Sequence, residues 1–224
     1  MRKNNREIKE SLAQKRLKAF LDSTPGIVHN LSNPLTIIST YSQLMQMQEP
    51  DNTNITKMVE QSKLIENILN NIVYISQNIL KEKPQQININ TFLKNEIEYF
   101  RANPLFKHKV ITTLDLTDKI PVVVNSYFHL STLLFTIIQL TLYFFQSSEE
   151  KRIYISTKKK TNSVVISITV SVDDITNIIN ENEYKPLIEA FNDALIISQE
   201  VDISTKINRK NTGTEFVIEI PDKT

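Results

Sequence analysis

The chain has 224 residues, 40% hydrophobic and 23% charged, with a formal net charge of +1. This length holds one large domain or two small ones, the composition excludes wholesale disorder, and the charge gives no electrostatic reason to expect a nucleic-acid partner. The absence of cysteine excludes disulfides and thiolate chemistry and fits a reducing cytoplasm, while only two glycines, Gly26 and Gly213, leave little for a phosphate-cradling loop.

In chain order, Met1 to Lys18 is polar and charged, unlike the apolar core of a secretory signal. Residues 4–22 are helix-prone, with Ile8, Leu12, Leu17 and Phe20 set among charges. Ser23-Thr24-Pro25-Gly26 then interrupts. Pro25 suits the first turn of a new helix capped by Thr24, and a kink within one long helix is the alternative. From Val28 the apolar steps Val28, Leu31, Leu35, Ile38, Ser42, Met45 form a heptad seam. Glu49 to Asn54 is a turn, and a second seam runs Ile55, Met58, Ile65, Ile68, Ile72, Ile75, Ile79. Two such helices make an antiparallel hairpin whose apolar face is too wide for two helices to bury, so a two-fold dimer completing a four-helix bundle is expected.

Lys81 to Gln86 reads as a linker, placing a domain boundary between residues 83 and 84. Thereafter Thr91 to Arg101 predicts a helix, Val110 to Leu116 and Pro121 to Val124 strands, and Tyr127 to Phe145 a helix. The apolar run Leu130 to Phe145 is short of the ~20 residues that span a bilayer and carries Ser131, Thr132, Thr136, Gln139 and Thr141. It reads as a buried helix in a soluble protein without a membrane segment. Arg152 to Thr157 and Val164 to Val172 predict strands, Tyr184 to Val201 a helix, and Ile203 to Asn208 with Glu215 to Ile220 a closing hairpin. The fold class is α+β, a helical hairpin followed by a mainly antiparallel α/β sandwich.

The candidate chemistry lies at His29. It follows the seam residue Val28, so its ring sits at the edge of the core, and Asn33 lies one turn on along the same face, with Thr36 and Thr40 beyond. A neutral imidazole nitrogen is a competent nucleophile toward phosphorus near neutral pH. Pro34 removes a backbone donor and loosens the helix nearby. By spacing alone, the pattern is more often that of an ordinary surface histidine on a polar helix edge.

His29-Asn30-Leu31-Ser32-Asn33-Pro34-Leu35-Thr36 closely resembles the H-box of bacterial two-component histidine kinases, and the resemblance extends to about Lys81. It implies a dimerisation and phosphotransfer bundle with His29 as phosphoacceptor. Asn30 stands where the family usually has the acid that assists attack on ATP, and an amide cannot accept a proton in that role. Asn33 occupies the place of the residue that supports dephosphorylation of the partner.

The C-terminal half resembles the catalytic ATP-binding domain of the same kinases, most closely in Thr212 to Pro221. The nucleotide features depart from the family. Thr136 to Thr141 offers no Mg²⁺-holding asparagine, and the adenine loop becomes Asp173-Asp174-Ile175-Thr176-Asn177 without glycine. The glycine lid becomes Asn192-Asp193-Ala194-Leu195, with a carboxylate where phosphate would lie. His108 reads as a loop residue, His129 as a helix residue and Lys158-Lys159-Lys160 as a solvated turn, and three scattered histidines make no metal site.

The resemblance thus implies a ChpT-like, histidine kinase-like histidine phosphotransferase with a degenerate ATP domain. It would pass phosphoryl groups between the aspartates of response regulator receiver domains. It would act as a homodimer without a cofactor of its own, the Mg²⁺ coming with the receiver. A divergent autokinase or phosphatase, and a non-catalytic scaffold for response regulators, are the competing readings.

Overall fold

The computed structural model describes residues 5–81, 83–172 and 185–222, with side chains in the first helix from Thr24 onward. The chain divides into two compact units, Met1–Leu80 and Lys81–Thr224.

The first unit is two helices, α1 (Asn5–Gln48) and α2 (Thr53–Ile79). The turn between them closes with the Asn52 amide donating to the Glu49 carbonyl, and the Asn52 side chain caps α2 by accepting from the Asn54 amide at 3.1 Å. Gln46 bonds Thr56 across the turn, and at the far end Val28 and Leu35 pack with Leu69 and Val73, so the pair is antiparallel.

Of the two readings of residues 23–26, one long helix holds: α1 runs through both Pro25 and Pro34, and Thr24 is buried within it rather than capping a helix. Each proline removes one backbone bond, and on the two sides of Pro34 the side chains of Val28, Leu35 and Ser42, seven residues apart, pack inward. The heptad seams also split. Within the chain α2 buries Ile55, Val59, Ser62, Leu69 and Ser76, whereas Met58, Ile65, Ile68 and Ile72 of the expected seam are exposed. On α1, Leu31, Ile38 and Met45 stay exposed, at 51%, 53% and 47%. Two helices bury one line of residues each, and the neighbouring line is left over.

The second unit contains β1 (Gln85–Asn88), α3 (Ile89–Phe100), α4 (Pro104–Lys109), β2 (Ile111–Asp115), β3 (Val122–Asn125), α5 (Tyr127–Phe144), β4 (Arg152–Lys159), β5 (Ser163–Val170), α6 (Lys185–Gln199), β6 (Ser204–Lys210) and β7 (Gly213–Pro221). Its five-stranded sheet has the order β2-β4-β5-β7-β6, antiparallel except for β2 beside β4. Alternate residues Ile153, Ile155, Ile166, Ile168, Phe216 and Ile218 are buried on one face. Helices cover that face: Phe191 of α6 meets Phe216 edge-on at 5.9 Å.

Gln85 and Gln86, expected in a linker, instead pair with Asn125 and Val124 in a two-stranded sheet. Pro104–Lys109 forms a short helix that places His108 in a helix rather than a loop, because Asn103 accepts from the amides of Leu105 and Phe106 and Pro104 presets the first turn. Lys158 and Lys159 end β4, and Lys160 is ion-paired with Glu219 at 2.8 Å rather than merely solvated. Among the described residues α5 is the one helix long and apolar enough to cross a membrane, and 61% of it is buried inside the protein. Asp173 to Asn177 and Tyr184 lie outside the described residues.

Candidate functional site

Val28 and Leu35 anchor one side of α1 against Leu69 and Val73. This anchoring turns the opposite side of the helix outward. Gly26, His29, Asn30 and Asn33 are all exposed there, and their spacing of three, four and seven residues puts them on one face. His29 is exposed, and among the described residues no side chain is hydrogen-bonded to its ring.

Two features shape the backbone beside His29. Pro34 has no amide hydrogen, so the Asn30 carbonyl lacks its usual partner one turn on. The Thr36 hydroxyl donates to the Ser32 carbonyl at 2.8 Å, a contact that bends helices slightly. The structure therefore brings His29, Asn30 and Asn33 together on one accessible stripe with a rigid packed back. Among the described residues of the first unit, none covers the His29 ring, which is exposed.

In the second unit Thr136 donates to the Thr132 and Leu133 carbonyls, and buried Thr141 donates to the Ile137 carbonyl. Asn192 to Leu195 lies in the middle of α6, not in a loop preceding it. The expectation that this segment replaces a glycine lid is therefore wrong, because an exposed polar pair in a helix looks like a polar loop in sequence. An open cavity of about 500 Å³ beyond the end of α5 is lined by Phe144, Ser147, Ser148, Ser171 and Thr212, and its ionisable lining is Glu149 and Glu150. Of these, Glu150 is ion-paired with Arg152 at 2.6 Å. Among the described residues no group of His, Asp and Glu is placed to hold a metal ion.

The sequence reading missed Glu96, fully buried on α3 and held by Tyr127 and Ser131 of α5. The available signal was an acid at a core position of an otherwise apolar helix face, Phe92, Leu93, Ile97 and Phe100 being buried beside it.

No family model matches the chain. Sporulation kinase C of Bacillus subtilis (strain 168) is 35% identical over 94 residues, which is 41% of this chain and 21% of that protein. The chain thus spans about a fifth of the length of the curated relative it matches. The nucleotide-free catalytic domain of histidine kinase ThkA superposes with a TM-score of 0.50 at 15% identity, covering 62% of this chain and 96% of that one. Histidine kinase ThkA in complex with response regulator protein TrrA covers 97% of this chain and 66% of that one, at 18% identity and a TM-score of 0.49. Acinetobacter baumannii histidine kinase AdeS covers 88% and 98%, at 16% identity and a TM-score of 0.47. Over the 62% matched by the ThkA catalytic domain the chain therefore has the fold of a histidine kinase catalytic domain, and in sequence a helical pair precedes its sheet domain.

Proposed function

We propose that the chain is a histidine phosphotransferase that carries phosphoryl groups between receiver-domain aspartates through His29. The observation that carries this reading is the exposed stripe of His29, Asn30 and Asn33 on a packed helix, in a chain whose residue beside the histidine is an amide. A neutral ring nitrogen attacks the phosphorus of an aspartyl phosphate. The P–N bond forms, the bond from phosphorus to the aspartyl oxygen breaks, and the carboxylate leaves with the bonding pair. The reverse step delivers the group to a second aspartate. Such transfer asks mainly for positioning and charge stabilisation, and Mg²⁺ enters with the receiver. Asn30 cannot act as the proton acceptor that attack on ATP needs, which favours a borrowed phosphoryl group over an autokinase.

The working unit is a homodimer. Leu31, Ile38 and Met45 on α1 and Met58, Ile65, Ile68 and Ile72 on α2 are the apolar line that the hairpin leaves exposed. A second copy buries this line as a four-helix bundle.

Receiver domains phosphorylated with acetyl phosphate are incubated with the wild type and with His29→Ala, alongside an ATP titration. Label on the wild type that His29→Ala loses, without self-labelling from ATP, supports the relay. Equal labelling of both proteins removes it. ATP-dependent self-labelling identifies an autokinase, and receiver binding unaffected by His29→Ala and without transfer identifies a scaffold.

A further inference from the structure

Among the described residues the five-stranded sheet ends in β2 on one side and β6 on the other, and the sequence guards only one of these edges. β6 carries Lys206, Arg209 and Lys210 and no acid, so a second β6 laid against it sets cations against cations. β2 carries no cation, and Ile111 and Leu114 stand exposed on it, at 62% and 37%. The Ile111 amide donates to the Lys151 carbonyl at 2.8 Å, so the odd-numbered residues of β2 bond towards β4. The amides and carbonyls of Thr112 and Leu114 therefore point out of the open edge.

The two ends of β2 are oppositely charged. Exposed Lys109 precedes the strand, and exposed Asp115 ends it. Such a strand complements itself when a two-fold axis sets a second copy antiparallel beside it. The outward backbone groups and the two-sidedness of the sheet restrict the register. With Thr112 opposite its own copy, Lys109 of each chain stands opposite Asp115 of the other. Val110 then faces Leu114 on the helix-covered side, and Ile111 faces Thr113 on the open side. The Thr112 hydroxyl, buried in the single chain without a hydrogen-bond partner, comes to lie across from its own copy, where one hydroxyl donates to the other.

We propose that the β2 edge is a surface for a second copy of this chain: an antiparallel β2–β2 contact that joins two sheets edge to edge. It is separate from the helical bundle and does not rest on the relay reading. With five residues on each strand the contact is small, so association in the high micromolar range is expected.

The full chain is its own probe. Hydrogen exchange at the Thr112 and Leu114 amides is followed from micromolar to millimolar protein, in the wild type and in Ile38→Glu, which weakens the bundle. In both proteins exchange at these amides is expected to slow about tenfold or more across that range. Sedimentation equilibrium in the Ile38→Glu background then compares edge variants. Thr112→Pro removes an outward amide and no bond to β4, and is expected to weaken association about tenfold or more with the fold intact. Asp115→Lys is expected to weaken it similarly, and Lys109→Asp combined with Asp115→Lys to restore it to within about threefold. The Tyr154 hydroxyl has lost its Asp115 acceptor in both, so that loss cannot explain the recovery. Exchange at both amides that is independent of concentration overturns the proposal and leaves the edge to a strand of another protein. Wild-type association by Thr112→Pro, or a double swap no better than Asp115→Lys alone, overturns it as well.

Discussion

Tyr127 on α5 donates its hydroxyl hydrogen to Oε1 of Glu96 on α3 at 2.5 Å, and Ser131 donates to the same oxygen at 2.9 Å. Burial pushes the Glu96 carboxyl above its ordinary range, and the two hydroxyls pull it part of the way back. Because the folded value is raised, the unfolded chain ionises this group first, from about pH 4.3. The stabilising contribution is complete below that pH and is lost as pH rises through the folded value.

Glu96→Gln keeps an oxygen that accepts from both hydroxyls and carries no charge. We expect it to be at least as stable as the wild type at pH 7 and to flatten the fall in stability above pH ~4.3, read from urea melts at several pH values. Glu96→Ala strands both hydroxyls in the core and is expected to cost about 2–4 kcal/mol. A Gln variant much less stable than wild type at pH 7 would show that the carboxylate is needed there.

The two glycines give opposite outcomes on replacement by alanine. Gly213→Ala forces a Cβ onto the Val170 carbonyl at a positive φ and is expected to destabilise the protein by about 2 kcal/mol or more. Gly26→Ala adds a methyl group into open space and is expected to stabilise α1 by about 0.5–1 kcal/mol. Thermal unfolding of both variants checks the pair.

Ile38 and Ile65 remain exposed on a packed hairpin. Ile38→Glu or Ile65→Lys is expected to weaken self-association by about 2 kcal/mol or more, measured by sedimentation equilibrium. The charged side chains cannot be buried unpaired. A monomeric wild type at micromolar concentration would contradict this.

Asn33 lies one turn from His29 on the same exposed face; on the proposed relay its amide would orient a water toward a docked aspartyl phosphate. Asn33→Ala is expected to lengthen the lifetime of the phosphorylated receiver about tenfold while His29 still takes label. Release of inorganic phosphate, measured beside the label on His29, separates hydrolysis from transfer.

Most elements of the second unit were legible in the sequence: alternation marked β4, β5, β6 and β7, and a long apolar run marked α5. β1 was not, because a four-residue strand of Gln-Gln-Ile-Asn carries no pattern until β3 lies beside it. The parallel placement of β2 was equally hidden, since a strand's sequence sets which face is apolar and not which neighbour it takes.

By itself the sequence determined that His29, Asn30 and Asn33 share an edge of an amphipathic helix, because helical periodicity is a local property of the chain. Only the tertiary structure decided which apolar line turns inward. Periodicity marks a greasy face, but whether Leu69 or Ile68 meets α1 depends on how two helices rotate against each other. Tertiary packing likewise holds α1 across Pro34, with Val28 buried before it and Leu35 and Ser42 after it, despite one missing backbone bond.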